Sequence, residues 1–410
     1  MLIAAAACAG GDDDGASVGD DADDRDQAGT VDLVISDTRV FDGAALVEHV
    51  NVVIDKGRIV SVDSADLPLP SARQLIDGSA ATVLPGLIDA HVHLIAASVG
   101  PTEAEHVDFA AAKVPLKLEQ FLDHGVTTIK SLGDPLDLAV AIRTSLEDGD
   151  LAGPRLVLVG PFIGPTDGVG IPTFCGADAW CRSQVVREID TPDQARAVVQ
   201  ELASAGVDGI KIIHESEDGT YPNLGTDVLE AIVAEANQAG LPVSAHIGPT
   251  ADEARQMAAA QVSSIEHMIR TPIDDTDLIE QLVANDVTYV TTVASFRGAD
   301  TAKALINLEA MHAGGVTIVA GSDTFGGAPP GETTIREIEL LVAAGLTPSQ
   351  ALQAATSDAA ALLGLPDVGH IAPGKVADLL VVGGDPTINV SDLRDIKRVI
   401  QAGIVVRSSD

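Results

Sequence analysis

Aromatic residues make up only 2 % of this 410-residue chain: one Trp, two Tyr and seven Phe. A core with so few rings has to be built from Val, Leu, Ile and Ala, and a hydrophobic share of 46 % supplies enough of them. Positive charge is also scarce. There are 24 Lys and Arg against 61 Asp and Glu, for a formal net charge of −37. Nucleic acid, itself a polyanion, would be repelled and is excluded as a partner. The acidic surplus reads as a heavily solvated surface rather than as a means of recruiting a cationic substrate. No apolar run reaches the roughly eighteen residues needed to span a membrane. Cysteine is limited to Cys8, Cys175 and Cys181.

Each cysteine has its own reading. Met1–Ala7 is small and apolar, Cys8 follows, and an Asp-rich tract runs to about Asp26. Small residues before a cysteine and a polar tether after it resemble the end of a bacterial lipoprotein signal, although no Lys or Arg precedes Cys8. The expectation is an exported protein anchored to a membrane through a lipid on Cys8. The alternative is a cytoplasmic protein. The acidic tract is too charged to fold and reads as a linker. Export would place Cys175 and Cys181 in an oxidising compartment, where a disulfide between them is expected ahead of free thiols or a soft metal site.

Chemistry-bearing residues recur in short apolar runs, mostly at their ends. Leu84-Pro85-Gly86-Leu87-Ile88-Asp89-Ala90-His91-Val92-His93 ends in two imidazoles one residue apart, which share a face on a strand and suit one metal ion. Val207–Ile213 carries Lys211 where a buried strand should be apolar. Leu241–His246 and Val262–His267 end in histidines, and Gly315–Asp323 ends in an aspartate. Ile210 and Ile212 point away from the Lys211 face, which leaves open whether this lysine is chemical, reaches the strand end, or pairs with Asp208.

Strand candidates end near His93, Ser131, Gly160, Ile213, His246, His267, Val293 and Ser322, eight in all. Helical stretches separate many of them, such as Pro192–Ala205, Asp227–Ala239, Ala251–Ala260 and Thr301–Ala313. Such alternation implies parallel strands with right-handed crossovers, and eight units close into a (β/α)8 TIM barrel. Its active site lies at the carboxyl ends of the strands, where the histidines and Asp323 fall. Shorter β-rich segments occupy both ends of the chain, and Asp55-Lys56-Gly57 marks a hairpin turn. The expected α/β organisation is a signal-like segment and linker over 1–30, one part of a small β-sandwich over 31–83, the barrel over 84–366, and the rest of the sandwich over 367–410.

This ordered set, with Gly369–Leu380 as a closing signature, resembles the amidohydrolase superfamily, in particular its members with two metals bridged by a carboxylated lysine. The resemblance implies that His91, His93 and Asp323 hold the more buried ion, and His246 and His267 the second. Lys211 would be carboxylated by CO2 to a bridging carbamate. Two divalent ions, most suitably zinc, would hold a bridging hydroxide, and Asp323 would act as general base and then acid. His214, Tyr221 and Arg270 are candidate substrate contacts. His49, His106, His124, His312 and His370 read as helix, loop or surface residues, and Ser322 as a local hydrogen-bonding residue.

Gly209–Ile212 and Ala245-His246 are similar to the prolidase-like branch that cleaves dipeptides and N-acyl amino acids. The expected activity is hydrolysis of such an amide in a small-molecule substrate. Lactones, carbamates and phosphotriesters suit the same metals. A mononuclear deaminase or imidazolonepropionase-like enzyme would share four ligands, and a surface-anchored binding protein with a vestigial barrel is the non-enzymatic alternative. Oligomeric state, a homo-oligomer included, is not legible.

Overall fold

A computed structural model describes residues 29–96, 99–273, 276–324 and 328–409. Cys8 and the acidic linker lie outside them. Five strands come first: β1 (Val31–Phe41), β2 (Leu46–Asp55), β3 (Arg58–Ser64), β4 (Ala72–Asp77) and β5 (Ala81–Pro85). Next are β6 (Leu87–Val92), β7 (Val126–Leu132), β8 (Arg155–Gly160), β9 (Phe162–Gly164) and β10 (Val186–Glu188). The series continues with β11 (Ile210–His214), β12 (Val243–Ile247), β13 (Ser264–Glu266), β14 (Thr288–Thr291) and β15 (Ile318–Ala320). The last three are β16 (Leu379–Gly383), β17 (Ile396–Gln401) and β18 (Ile404–Ser408).

Strands from both chain ends join one eight-stranded sheet, in which β16 pairs antiparallel with β5 and β5 pairs parallel with β1. Successive residues of β16 go to different cores. Leu379 and Val381 pack with Leu33, Ile35, Val52 and Ile54, whereas Leu380 and Val382 pack into the core of the parallel strands. The period-2 alternation of a strand thus lets one apolar segment serve two layers. β5 runs directly into β6 through Gly86, where a side chain would put its Cβ 2.2 Å from Thr127 Oγ1.

The remaining strands are parallel and form two sheets, β6-β7-β8 and β10-β9-β11-β12-β13-β14-β15. Helices separate them, including Pro192–Ser204, Thr226–Ala239, Ala251–Ala259 and Ala299–Ala313. Buried on both faces, the strands read as Val- and Ile-rich runs, as covered parallel sheets require. Two helices begin on a Thr-Pro-x-Gln signature. Thr191 and Gln194, like Thr347 and Gln350, satisfy each other's backbone N–H groups as capping boxes behind a proline in the first turn.

The third parallel strand holds a feature that periodicity did not reveal. It breaks at Gly160, whose φ is +78°, so β8 pairs with β7 while β9 pairs with β11. The 21 residues between β9 and β10 form an excursion with a helical turn at Ile171–Cys175 and a helix at Ala179–Gln184. At the other junction of the sheets, Val92 forms a parallel bridge with Thr324, and Asp323 N–H donates to His91 O at 2.8 Å.

Helix Glu332–Ala343 is fastened by a buried carboxylate. Glu337 accepts from the N–H groups of Val293 at 3.0 Å and Ala294 at 2.6 Å. Burial pushes its carboxyl up to about 7, against the opposing pull of these hydrogen bonds and one from Thr291. A carboxyl raised on folding stabilises fully below its unfolded value near 4.5 and loses that contribution as pH climbs through 7. Glu337→Gln should therefore flatten the decline between pH 4.5 and 7, a difference on the order of 3 kcal/mol in chemical denaturation of the two proteins. Equal slopes for both would contradict it.

Candidate metal centre

The expected ligands come together at the carboxyl ends of the parallel strands. His91, His93, Lys211, His246, His267 and Asp323 all line one cavity of about 410 Å³. His91, His93 and Asp323 form its tightest group, with one donor atom of each within 4.8 Å of the others. Asp323 Oδ1 lies 3.2 Å from His93 Nε2 and 3.6 Å from His91 Nε2, while Oδ2 lies 3.7 Å from His267 Nδ1. The His267 ring packs 4.7 Å from that of His91 and 4.6 Å from that of His246.

Strand geometry delivers these side chains. His91 and His93 flank Val92, which faces an apolar core, while an irregular β6–β7 register between Asp89 and Val92 sets Asp89 outside the cavity, bonded to Thr334 and the Ser322 N–H. Lys211 is in register with Ser244, and Ile213 with His246, so Lys211 lies one layer deeper than the histidine. His267 and Asp323 follow their strand ends with left-handed backbones, φ +72° and +50°. For residues with a Cβ such conformations cost about 1–3 kcal/mol each and concentrate at functional sites.

Behind the ligands is a buried polar group that the sequence reading missed. Glu266, with no solvent exposure, accepts from His91 Nδ1 at 2.6 Å, from Lys130 Nζ at 3.3 Å and from Ser264 Oγ at 2.8 Å. It aims the opposite nitrogen, His91 Nε2, at Asp323; His91 Nε2 is buried and has no hydrogen-bond partner. A carboxylate or carbonyl behind each imidazole is the usual support for a metal ligand. His93 Nδ1 likewise meets Leu132 O at 2.5 Å, and His267 Nδ1 meets Thr292 Oγ1 at 2.8 Å. Lys130 also donates to Ser244 Oγ at 2.6 Å. Its signal, a lysine inside an apolar strand, is the one that singled out Lys211.

Lys211 differs from Lys130 in having nothing to bond. Its Nζ is buried without a hydrogen-bond partner, and burial pushes its amine down to about 8 despite Glu266 nearby. Asp208 is not its partner, because that carboxylate accepts from Leu158 N–H and Arg143. Burial and the nearby Lys211 hold His91 near 4, and burial with the neighbouring histidines keeps His267 well below its ordinary value. Asp323 stays near 2 although burial opposes ionisation, because His93, His91 and Lys211 favour its carboxylate. Neutral imidazoles, an ionised carboxylate and an unbonded amine are a donor set that fits divalent metal.

The expected substrate contacts are placed elsewhere. His214 continues β11 on the opposite face, buried, with Nε2 bonded to Gln256 at 2.6 Å. Tyr221 packs in an apolar cluster, and Arg270 stacks its guanidinium 4.8 Å above the Phe296 ring. None of the three lines the cavity. Glu215 and Glu217 do, and strand parity from Lys211 points to them rather than to His214. Glu215 Oε2 lies 2.7 Å from His246 Nε2, and this contact pulls the pKa of the carboxyl below its ordinary value. Ser322 has the local role expected, its Oγ bonding Thr324 Oγ1 and its N–H donating to Asp89.

The amidohydrolase family model matches residues 82–406, and the chain belongs to that family. It is a metal-dependent enzyme family, and the chain is a hydrolase acting on carbon–nitrogen bonds. Ochratoxinase of Aspergillus niger is 25 % identical over 87 % of this chain and 82 % of its own length. Imidazolonepropionase of Pseudoalteromonas atlantica is 25 % identical over 81 % of this chain and 85 % of its own. A solved Xaa-Pro dipeptidase with methionine bound in its active site superposes with a TM-score of 0.80 at 26 % identity. It covers 92 % of this chain and 100 % of that one.

Glu266→Gln should leave the Lys130 ammonium buried without its anion and His91 without its anchor. The expected result is a loss of about 3–5 kcal/mol in stability and roughly 10–100-fold weaker metal binding. Adding Lys130→Met should recover much of the stability but not the metal affinity. Equal metal affinity in wild type and Glu266→Gln would contradict this assignment.

Proposed function

We propose that the chain is a dinuclear metal-dependent hydrolase that cleaves the amide bond of a dipeptide or N-acyl amino acid. One observation carries this reading: the buried, unbonded Lys211 Nζ lines the same cavity as His91, His93, His246, His267 and Asp323. In the proposal, the two parallel sheets close into a (β/α)8 barrel at the Val92–Thr324 and β8–β9 junctions, and the sheet from both chain ends is the small β-sandwich. His91, His93 and Asp323 would hold one ion, and His246 and His267 a second. The neutral Lys211 amine would add to the carbon of CO2, an N–C bond forming as one C=O π bond breaks and a proton leaves, and the carbamate would supply anionic oxygen donors to the ions where the amine has none.

Bound divalent ions, with zinc best suited to nitrogen and carboxylate donors, supply Lewis acidity toward a carbonyl and an activated water at neutral pH. Asp323, held ionised among the histidines, takes the proton of the attacking water and delivers it to the departing amine. The likeness to a dipeptidase at 26 % identity supports the amide substrate. The Cys175–Cys181 disulfide supports an oxidising compartment and thus export, with Cys8 as the lipidated anchor. No described helix is long and apolar enough to cross a membrane.

A mononuclear reading has one observation in its favour. His246 Nε2 is turned to Glu215, while among the described residues only His91, His93 and Asp323 converge within 4.8 Å. That reading makes the activity deaminase- or imidazolonepropionase-like and leaves Lys211 unmodified.

Metal content and Lys211 variants separate the two. Purified without chelator, the protein should carry close to two divalent ions per chain. Lys211→Ala should lose metal and nearly all turnover, and added acetate or propionate should restore part of both. Lys211→Arg should not be rescued, since a guanidinium stays cationic. One ion per chain after zinc and bicarbonate, with an active Lys211→Ala, would establish the mononuclear reading instead.

A further inference from the structure

A chain with ten aromatic residues places four of them in one wall of the cavity or directly behind it: Phe162, Phe174, Trp180 and Tyr221. Phe162 and Phe174 face the cavity as a stacked pair, with ring centroids 4.9 Å apart and planes 13° from parallel. Phe162 also lies 5.8 Å from the His93 ring, so the wall begins beside the ligands. Gly133 admits it: a Cβ there would meet the Phe162 ring at 2.0 Å, and the backbone is left-handed at φ +79°. Val169 and Ile213 extend the apolar surface.

Phe174 belongs to the excursion between β9 and β10, and that segment is tied down several times. The Cys175–Cys181 disulfide closes it immediately beside Phe174. Asp178 caps the following helix through Cys181 N–H at 2.9 Å. Arg182 reaches Glu188 and Asp167, each at 2.7 Å. A loop fixed by a covalent bond, a cap and an ion-pair fork holds its ring in place before any ligand arrives.

We propose that Phe162 and Phe174, positioned by this disulfide-tied loop, form an aromatic subsite that selects amides bearing a flat aromatic group next to the scissile carbonyl. The proposal rests on the amide-hydrolase reading for the identity of the scissile bond. Two stacked rings offer the face and edge contacts that aromatic groups prefer, and a short aliphatic group would leave that apolar surface uncovered. Phe162 and Phe174 are specificity residues; the ligands and Asp323 do the chemistry whichever group sits there.

The test compares the N-phenylacetyl and N-acetyl amides of one amine in the metal-loaded, disulfide-intact protein. Wild type should prefer the phenylacetyl amide. Phe174→Ala should cut its kcat/KM roughly tenfold or more and leave that of the acetyl amide nearly unchanged. Phe174→Leu, which keeps the bulk without the ring, should fall between. Cys175→Ser/Cys181→Ser should reduce the same preference. Trp180, the only tryptophan, packs in the same cluster and gives a readout independent of turnover. Phenylacetamide should change its emission in wild type, and only at much higher concentration in Phe174→Ala. If neither amide is cleaved, the amide-substrate reading fails while the Trp180 titration still decides the subsite. An unchanged preference in Phe174→Ala, or phenylacetamide titrations identical in both proteins, would overturn the proposal.

Discussion

Two lysines and one carboxylate lie together among the parallel strands, almost cut off from solvent, and the centre depends on how their charges are matched. Lys130 bonds Glu266 and Ser244; Lys211 bonds nothing. A buried ammonium without a partner is costly enough that the group gives up its proton instead. Glu266 can compensate one cation, and Lys130 is the one it touches. Burial and the neighbouring Lys130 charge push Lys211 toward the neutral amine, the form that reacts with CO2, against the pull of Glu266. The same carboxylate grips His91, so one residue both neutralises Lys130 and orients an expected ligand.

The ligands are delivered by two different devices. On β11 simple alternation suffices, since Lys211, Ile213 and Glu215 share one face; on β6 His91 and His93 flank Val92, and an irregular register between Asp89 and Val92 sets Asp89 apart, bonded to Thr334 and the Ser322 N–H. At β13 alternation would fail. Glu266 already points inward, so its neighbour His267 would point outward if the strand continued. A left-handed residue at that position turns the imidazole back into the cavity. Asp323 is left-handed too, but it keeps the parity of Val319, which is in register through Val290 with Glu266.

These devices explain what the sequence disclosed. Strand ends carrying a candidate ligand were legible because an apolar run that stops on His or Asp is unusual, and four interstrand helices were legible as helical stretches between those runs. Lys130 carried the same signal as Lys211 and was passed over because no metal pattern asked for it. His214 drew attention as a histidine, although its parity sets it on the face opposite Lys211, bonded to Gln256, while Glu215 shares the Lys211 face and lines the cavity. The β9–β10 excursion was illegible because β9 and β10 are three residues each and their pairing is non-local. The disulfide that closes it was foreseen from compartment alone, without its bearing on the cavity wall.

The central claim is that Lys211 is a carbamate in the working protein. Carbon-13 NMR of the zinc-loaded chain equilibrated with labelled bicarbonate tests it directly. The account predicts one carbamate carbon signal in wild type, bound to the Lys211 nitrogen and absent from Lys211→Ala. An active, fully metal-loaded protein that shows no such signal would contradict it.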